Sequence, residues 1–187
     1  MNLALPVFLY GDTILNEKCH PVPTSQEVEE FVTVMKFTMN QTDGIGLAAP
    51  QVGKPWNLFI VDTLIAYNEM PDKERIKKFG TDRGISQVFI NARITEYSPE
   101  CTTEEEGCLS IPDVWMDIER AQSITIEYED ENRRLHTQSF SGYTARVIQH
   151  EYDHTQGILI TDRLKPELLK YYSKQLNKIA GTTRTSS

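Results

Sequence analysis

Apolar residues recur at helical spacing in three stretches of the chain and at strand spacing in several others. After Thr24, the positions Val28, Phe31, Val32, Met35 and Met39 fall on one face of a helix and read as core packing. Thr24 and Glu27 fit a capping box at its start. A second helix is predicted over residues 142–156, with Ala145, Val147 and Ile148 as apolar positions and Gly157 as its C-terminal stop. Pro166 starts a third helix that runs to about residue 179. Residues 56–62 and 87–97 read as strands. Ile124, Ile126 and Tyr128 alternate, residues 129–133 turn, and residues 135–141 pair back as a hairpin. Residues 1–22 read as an extended arm with a turn at Gly11-Asp12. Residues 64–86 read as a charged, exposed insertion with one helical turn around 73–78. The tail from Gly181 reads as disordered. The pattern is α+β: mostly antiparallel strands packed around a central helix, with an N-terminal and a C-terminal helix, in one domain over residues 1–180.

Composition narrows the function classes. The 187 residues carry a formal charge of -8, which argues against non-specific nucleic-acid binding and gives no basis for specific DNA binding. The N-terminal apolar stretch lacks a preceding basic region and is interrupted by Pro6, and no apolar run is long enough to span a bilayer. The expected location is the cytoplasm, with no membrane partner. Three cysteines without framework spacing favour free thiols or a metal thiolate over disulfides.

The chemistry concentrates in the central helix. His150-Glu151-Tyr152-Asp153-His154 is an H-E-x-x-H pattern. Residues four apart on a helix lie about 40° apart around the axis and about 6 Å along it, so both imidazoles reach one divalent metal while Glu151 leans over the same point as a proton carrier. A third ligand is needed. The zinc-protease extension would place a histidine where Ile160 stands, and only Asp162 and Glu167 follow the motif closely. The ligand is therefore expected upstream, with a cysteine as the natural candidate: Cys19 in the arm, Cys101 in an acidic turn, or Cys108 beside a short apolar run. The stretch from Gly44 to Gly53 contains G-x-G-x-x-A, but a helix precedes it, and Pro50 and Pro55 prevent the helix a dinucleotide site requires. It reads instead as backbone passing close to a partner, with Gln51 presented from a rigid turn.

The stretches GIGLAAPQVG, EGCLS and QHEYDH, in this order, resemble the three signature motifs of peptide deformylases, and the similarity extends over residues 5–164. The resemblance implies a central metal-binding helix, with Cys108, His150 and His154 as the ligands. It implies that Glu151 is the catalytic carboxylate and that Gln51 and the backbone N–H of Leu109 hold the oxyanion. Gly46 matches the glycine that lets substrate backbone approach. One departure is Thr155, where the family often has Leu. Two imidazoles and a thiolate leave a fourth position for water, the layout of a catalytic site. The implied substrate is a nascent chain beginning with N-formyl-methionine, lying as an added strand near Ile45-Gly46 and Gly107. Ile45, Tyr143 and Val147 are expected as walls of its first pocket, with Trp115 at the rim. The implied metal is Fe²⁺, with Zn²⁺, Ni²⁺ or Co²⁺ able to occupy the site. Gln149 and Asp153 are expected to orient the helix or a histidine ring, and His20 and His136 receive no role.

From Arg163 onward there are six basic residues and one acidic one, with Lys170, Lys174 and Lys178 at four-residue spacing on the last helix. That local reversal of charge raises docking on ribosomal RNA, which the resemblance also implies, beside the reading of a solvated face. The competing functions are a metallopeptidase, a non-enzymatic metal-binding interaction module, and a Cys–His hydrolase.

Overall fold

The computed structural model describes residues 3–181. Among these, two antiparallel sheets form. The larger has five strands in the order β1 (Gly46–Ala48), β2 (Leu58–Asp62), β3 (Ser86–Tyr97), β6 (Ser123–Glu129) and β7 (Leu135–Ser141). The smaller pairs β4 (Cys101–Cys108) with β5 (Ile111–Ala121). Helix α1 spans Gln26–Gln41 and α4 spans Gly142–Thr155.

These two helices cover opposite faces of the large sheet, and β2 shows it residue by residue. Phe59 and Val61 join the cluster around Ala145 and Ile148 of α4, while Leu58 and Ile60 join the cluster around Val28, Val32, Met35 and Met39 of α1. Burial on both faces is why this strand reads as a continuous apolar run. The β6 positions Ile124, Ile126 and Tyr128 all face α4. The last helix, α5 (Pro166–Ala180), packs Leu176 against Ile111, Met116 and Ile118 of β5. The α+β architecture, the three long helices and the β6–β7 hairpin agree with expectation.

The arm stays extended apart from the expected turn, at residues 10–11, and a 3-10 turn at Thr13–Asn16, which buries Leu15. Gly157 ends α4 at φ +73, and a Cβ there would stand 2.7 Å from Asn16 O, so the glycine both stops the helix and clears the arm. Residues 182–187, most of the predicted tail, lie outside the described residues.

Three readings are corrected. Ser25, not Thr24, precedes α1, and its side chain makes no capping bond; Glu27 instead pairs with Lys54 at 2.9 Å. Cys101 opens β4 rather than sitting in a turn. The supposed insertion is folded: α2 spans Leu64–Glu69 and α3 spans Asp72–Phe79, with Phe79 only 2% exposed. A single buried aromatic among charges gives no periodicity to read.

Candidate active site

Helix α4 presents His150 and His154 one turn apart, with ring centroids 5.2 Å from each other. Cys108 closes β4 on the facing hairpin, and its Sγ lies 3.3 Å from His154 Nε2. One ligand atom from each of Cys108, His150 and His154 falls within 4.8 Å of the other two. This is the donor set expected from the sequence, and one thiolate plus two imidazoles suits a divalent transition metal. Without a metal, burial pushes the His154 imidazole well below its ordinary range, whereas at His150 burial is outweighed by hydrogen bonds with Cys108 and Glu106, which raise that ring well above it; ligation requires both rings neutral.

A buried ion-pair network sets the His150 ring. Its Nδ1 meets Glu106 Oε2 at 3.0 Å, which turns the other nitrogen toward the Cys108 thiol. Glu106 accepts from Arg120 at 2.7 and 2.9 Å and from Arg146 at 2.7 Å. Arg120 reaches on to Asp153 of α4 at 2.7 Å, and Arg163 closes on the same carboxylate. Burial alone would raise the Glu106 carboxyl. The hydrogen bonds from His150 and Arg120, together with the guanidinium charge, outweigh it and hold the group well below the carboxylate range. Asp153 therefore anchors the helix, as expected, but the histidine ring is oriented by Glu106. Gln149 donates to Ala121 O at 2.9 Å and to Ala145 O at 3.1 Å.

Glu106 opens the EGCLS stretch, yet sequence reasoning gives it no part. Strand alternation is the available signal, because residues two apart share a face and an inward Cys108 brings Glu106 inward. Replacing Glu106 by Gln should leave two buried guanidinium groups under-compensated and cost about 3–5 kcal/mol at pH 7. Its folded pKa lies below the unfolded one, so this stabilisation is fully present above the unfolded value and fades as pH falls below it. Urea unfolding of wild type and variant should therefore converge in acid, and a constant gap down to pH 3 would contradict the assignment.

Gln51 sits on a 3-10 turn, Ala49–Val52, and is 1% exposed. Its Oε1 accepts from Ala48 N at 2.8 Å, which commits Nε2 to Ser110 Oγ at 3.2 Å and to Cys108 Sγ at 3.7 Å. The rigid-turn reading of this stretch is correct. Gly46 is small for an additional reason. A Cβ built on it would stand 2.7 Å from Glu151 Cδ, so the carboxylate occupies the space a side chain would need. Gly46→Ala should displace Glu151 and lower turnover by about 10²-fold, with metal content retained. Undiminished turnover in that variant would show that Glu151 need not lie there.

Glu151 is 5% exposed, and its Oε2 is a buried oxygen without a hydrogen-bond partner among the described residues. Burial pushes its carboxyl up to about 7, against the opposing charge of His150. An orphaned oxygen beside three converging donors fits a site built for a metal and a water. Cys108, His150 and Glu151 line one cleft of about 440 Å³ with Ile45, Tyr143 and Val147. Gly46, Gln51, Gly107, Leu109 and Trp115 line it too, while His154, 1% exposed, is not part of the lining. Trp115 is 59% exposed, and its indole covers Gly107, where a Cβ would come within 3.1 Å of the ring. His136 pairs with Asp130 and stacks on Tyr128 at the surface, and His20 bridges the arm to Trp56, so neither joins the site.

Comparison with known proteins agrees with this geometry. The family model for polypeptide deformylase matches residues 4–170. A peptide deformylase of Christiangramia forsetii is 43% identical over 180 residues, covering 94% of this chain and 91% of its own. One of Flavobacterium psychrophilum is 41% identical over 180 residues, covering 95% and 91%. The crystal structure of peptide deformylase from Thermus thermophilus superposes with a TM-score of 0.81 at 31% identity, covering 96% of this chain and 99% of that one. With the match spanning both the cleft and the scaffold around it, the chain belongs to the peptide deformylase family, metal-dependent hydrolases that remove the N-formyl group from nascent peptides.

Proposed function

We propose that Cys108, His150 and His154 hold the metal, that Glu151 moves the proton, and that Gln51 and the Leu109 amide receive the oxyanion during deformylation of N-formyl-methionyl chains. The observation that carries this is the buried, unpartnered Glu151 Oε2 beside the three converging donors. A bound divalent metal supplies Lewis acidity, lowering the pKa of a water and polarising the formyl oxygen.

The chain's own residues supply the rest. Glu151 accepts a proton from the attacking water as its oxygen bonds to the formyl carbon. A carboxyl that burial raises in the metal-free chain suits a group that must take and return a proton. The oxygen that gains charge meets the Gln51 Nε2 amide and the Leu109 N–H. Glu151 then returns the proton to the departing nitrogen, the C–N bond breaks, and formate and a free amino terminus result. The apolar faces of Ile45, Tyr143 and Val147 take the methionyl side chain, Trp115 stands at the rim, and the substrate backbone runs beside Gly46 and Gly107. Incubation with formyl-Met-Ala-Ser should release formate and leave the peptide bonds whole. Fragments from internal cleavage would favour the metallopeptidase reading instead.

The mixed thiolate and imidazole donors are compatible with Fe²⁺ as the working metal and with Zn²⁺, Ni²⁺ or Co²⁺ as substitutes. No helix among the described residues is long and apolar enough to cross a membrane, and a substrate on nascent chains suits the cytoplasm. Lys170, Lys174 and Lys178 are all exposed on α5, beside the exposed Leu168 and Tyr171. This supports docking of the helix on ribosomal RNA. Truncation after Pro166 should then abolish salt-sensitive ribosome binding, and undiminished co-sedimentation would discard the idea.

A further inference from the structure

We infer that the segment between β2 and β3 sets the width of the pocket for the substrate's first side chain, with Phe79 as a positioning residue that holds Tyr143 in place. The inference rests on the deformylase reading of the cleft and adds a specificity element to it.

Phe79 does not line the cleft, but Tyr143 does. The two rings meet edge to face, with centroids 5.1 Å apart at 74°. Phe79 in turn receives Tyr67 of α2, with centroids 5.2 Å apart at 88°. Lys78, the residue before Phe79, places its ammonium 4.1 Å from the Tyr143 ring centroid and lines the same cleft. Aromatic edge-to-face pairs have preferred geometry, so Tyr143 sits where Phe79 and Lys78 together put it.

The same segment also fixes the backbone that carries Tyr143. Asp82 Oδ2 accepts from Thr144 N at 2.9 Å, satisfying one of the amides in the first turn of α4 that has no partner within the helix. The Thr63 and Thr144 hydroxyls, both fully buried, share a hydrogen bond of 3.0 Å. Tyr143, Val147 and His150 lie at i, i+4 and i+7 on α4, one face of the helix. The wall of the pocket and the first histidine are thus held on a helix whose N-terminal turn is pinned by residues 63–82.

A methionyl chain is slender and unbranched, and a benzyl group is wider. Removing the Phe79 ring opens space behind Tyr143, into which that wall can retreat. The prediction is a change in which first residue is accepted, not in the chemistry at Glu151.

The test compares kcat/KM for formyl-Met-Ala-Ser and formyl-Phe-Ala-Ser in the metal-loaded full chain. Phe79→Leu should narrow the preference for Met by about fivefold or more, chiefly through a higher KM for the methionyl peptide. Lys78→Ala, at an exposed position, should narrow it by about twofold. Phe31→Leu, a comparable truncation beside Trp56 on the far face of the sheet, should lower Tm and leave the ratio alone. An unchanged ratio in Phe79→Leu, with Tm lowered as in Phe31→Leu, would overturn the inference. Should Phe79→Leu fail to fold, an unchanged ratio in Lys78→Ala would overturn it equally. Formate release from neither peptide by the wild type would overturn the deformylase reading itself, and the inference with it.

Discussion

Glu151→Gln should lower kcat for formate release by about 10²–10⁴-fold, the usual worth of a positioned acid–base group, while metal content stays at the wild-type level. The amide keeps the shape that packs over Gly46 and contributes nothing to the three-donor set, so folding and metal loading should survive. The substitution should also stabilise the metal-free protein at high pH. The folded carboxyl sits at about 7 against an ordinary value of 4.5. Folding therefore favours the protonated form, and wild-type stability falls as pH rises from the unfolded value through the folded one. Ionising the buried carboxylate costs on the order of 3 kcal/mol. At pH 8, chelator-treated Glu151→Gln should thus unfold at higher urea than wild type, and the gap should close near pH 4. Activity lost and stability gained at one position is the signature of a group buried for chemistry. Deformylation retained in the variant would remove Glu151 from its role.

Gln51→Ala should lower kcat by about 10²–10³-fold, the effect of deleting one oxyanion donor, with a small change in KM. The amide is fixed before substrate arrives, since its oxygen is committed to Ala48 N at 2.8 Å and its nitrogen points at Ser110 and the Cys108 sulfur. Preorganisation of this kind requires no rearrangement during the reaction. The same bonds make the variant costly to fold, because Ala48 N–H and Ser110 Oγ lose their partner, at about 1–3 kcal/mol. Assays below the variant's Tm separate the two effects. A raised KM with kcat intact would show that Gln51 binds the ground state instead.

Periodicity exposes several of the elements that bury an apolar stripe, although the alternation of Val114, Met116 and Ile118 in β5 is equally regular and no strand is assigned to it from sequence. The α1 stripe from Val28 to Met39, the α4 positions Ala145 and Ile148, and the alternation of Ile124, Ile126 and Tyr128 are each visible as a spacing. Elements held by other forces are not. β4 runs Thr102-Thr103-Glu104-Glu105-Glu106 with an outward face and one buried carboxylate, so no apolar rhythm marks it. The segment 64–86 docks through Phe79 and through hydrogen bonds to α4, which leave little trace in hydrophobicity.

At the site the contrast is similar. The histidine pair follows from helix geometry, and Cys108 and Gln51 from motif resemblance. Gly46 stands out in the sequence for substrate approach, while its closest neighbour proves to be Glu151. The Glu106–Arg120–Asp153 network escapes notice, since buried ion pairs and surface charges look alike along a chain.

Metal dependence offers the most direct trial. Formate release from formyl-Met-Ala-Ser should be measured with protein stripped by a chelator, then titrated with Fe²⁺ or Co²⁺ under anaerobic conditions. Activity should be absent in the stripped protein and rise linearly to a plateau at one ion per chain, with no recovery in Cys108→Ala. Full activity in stripped protein, or equal recovery in that variant, would contradict a centre made by Cys108, His150 and His154.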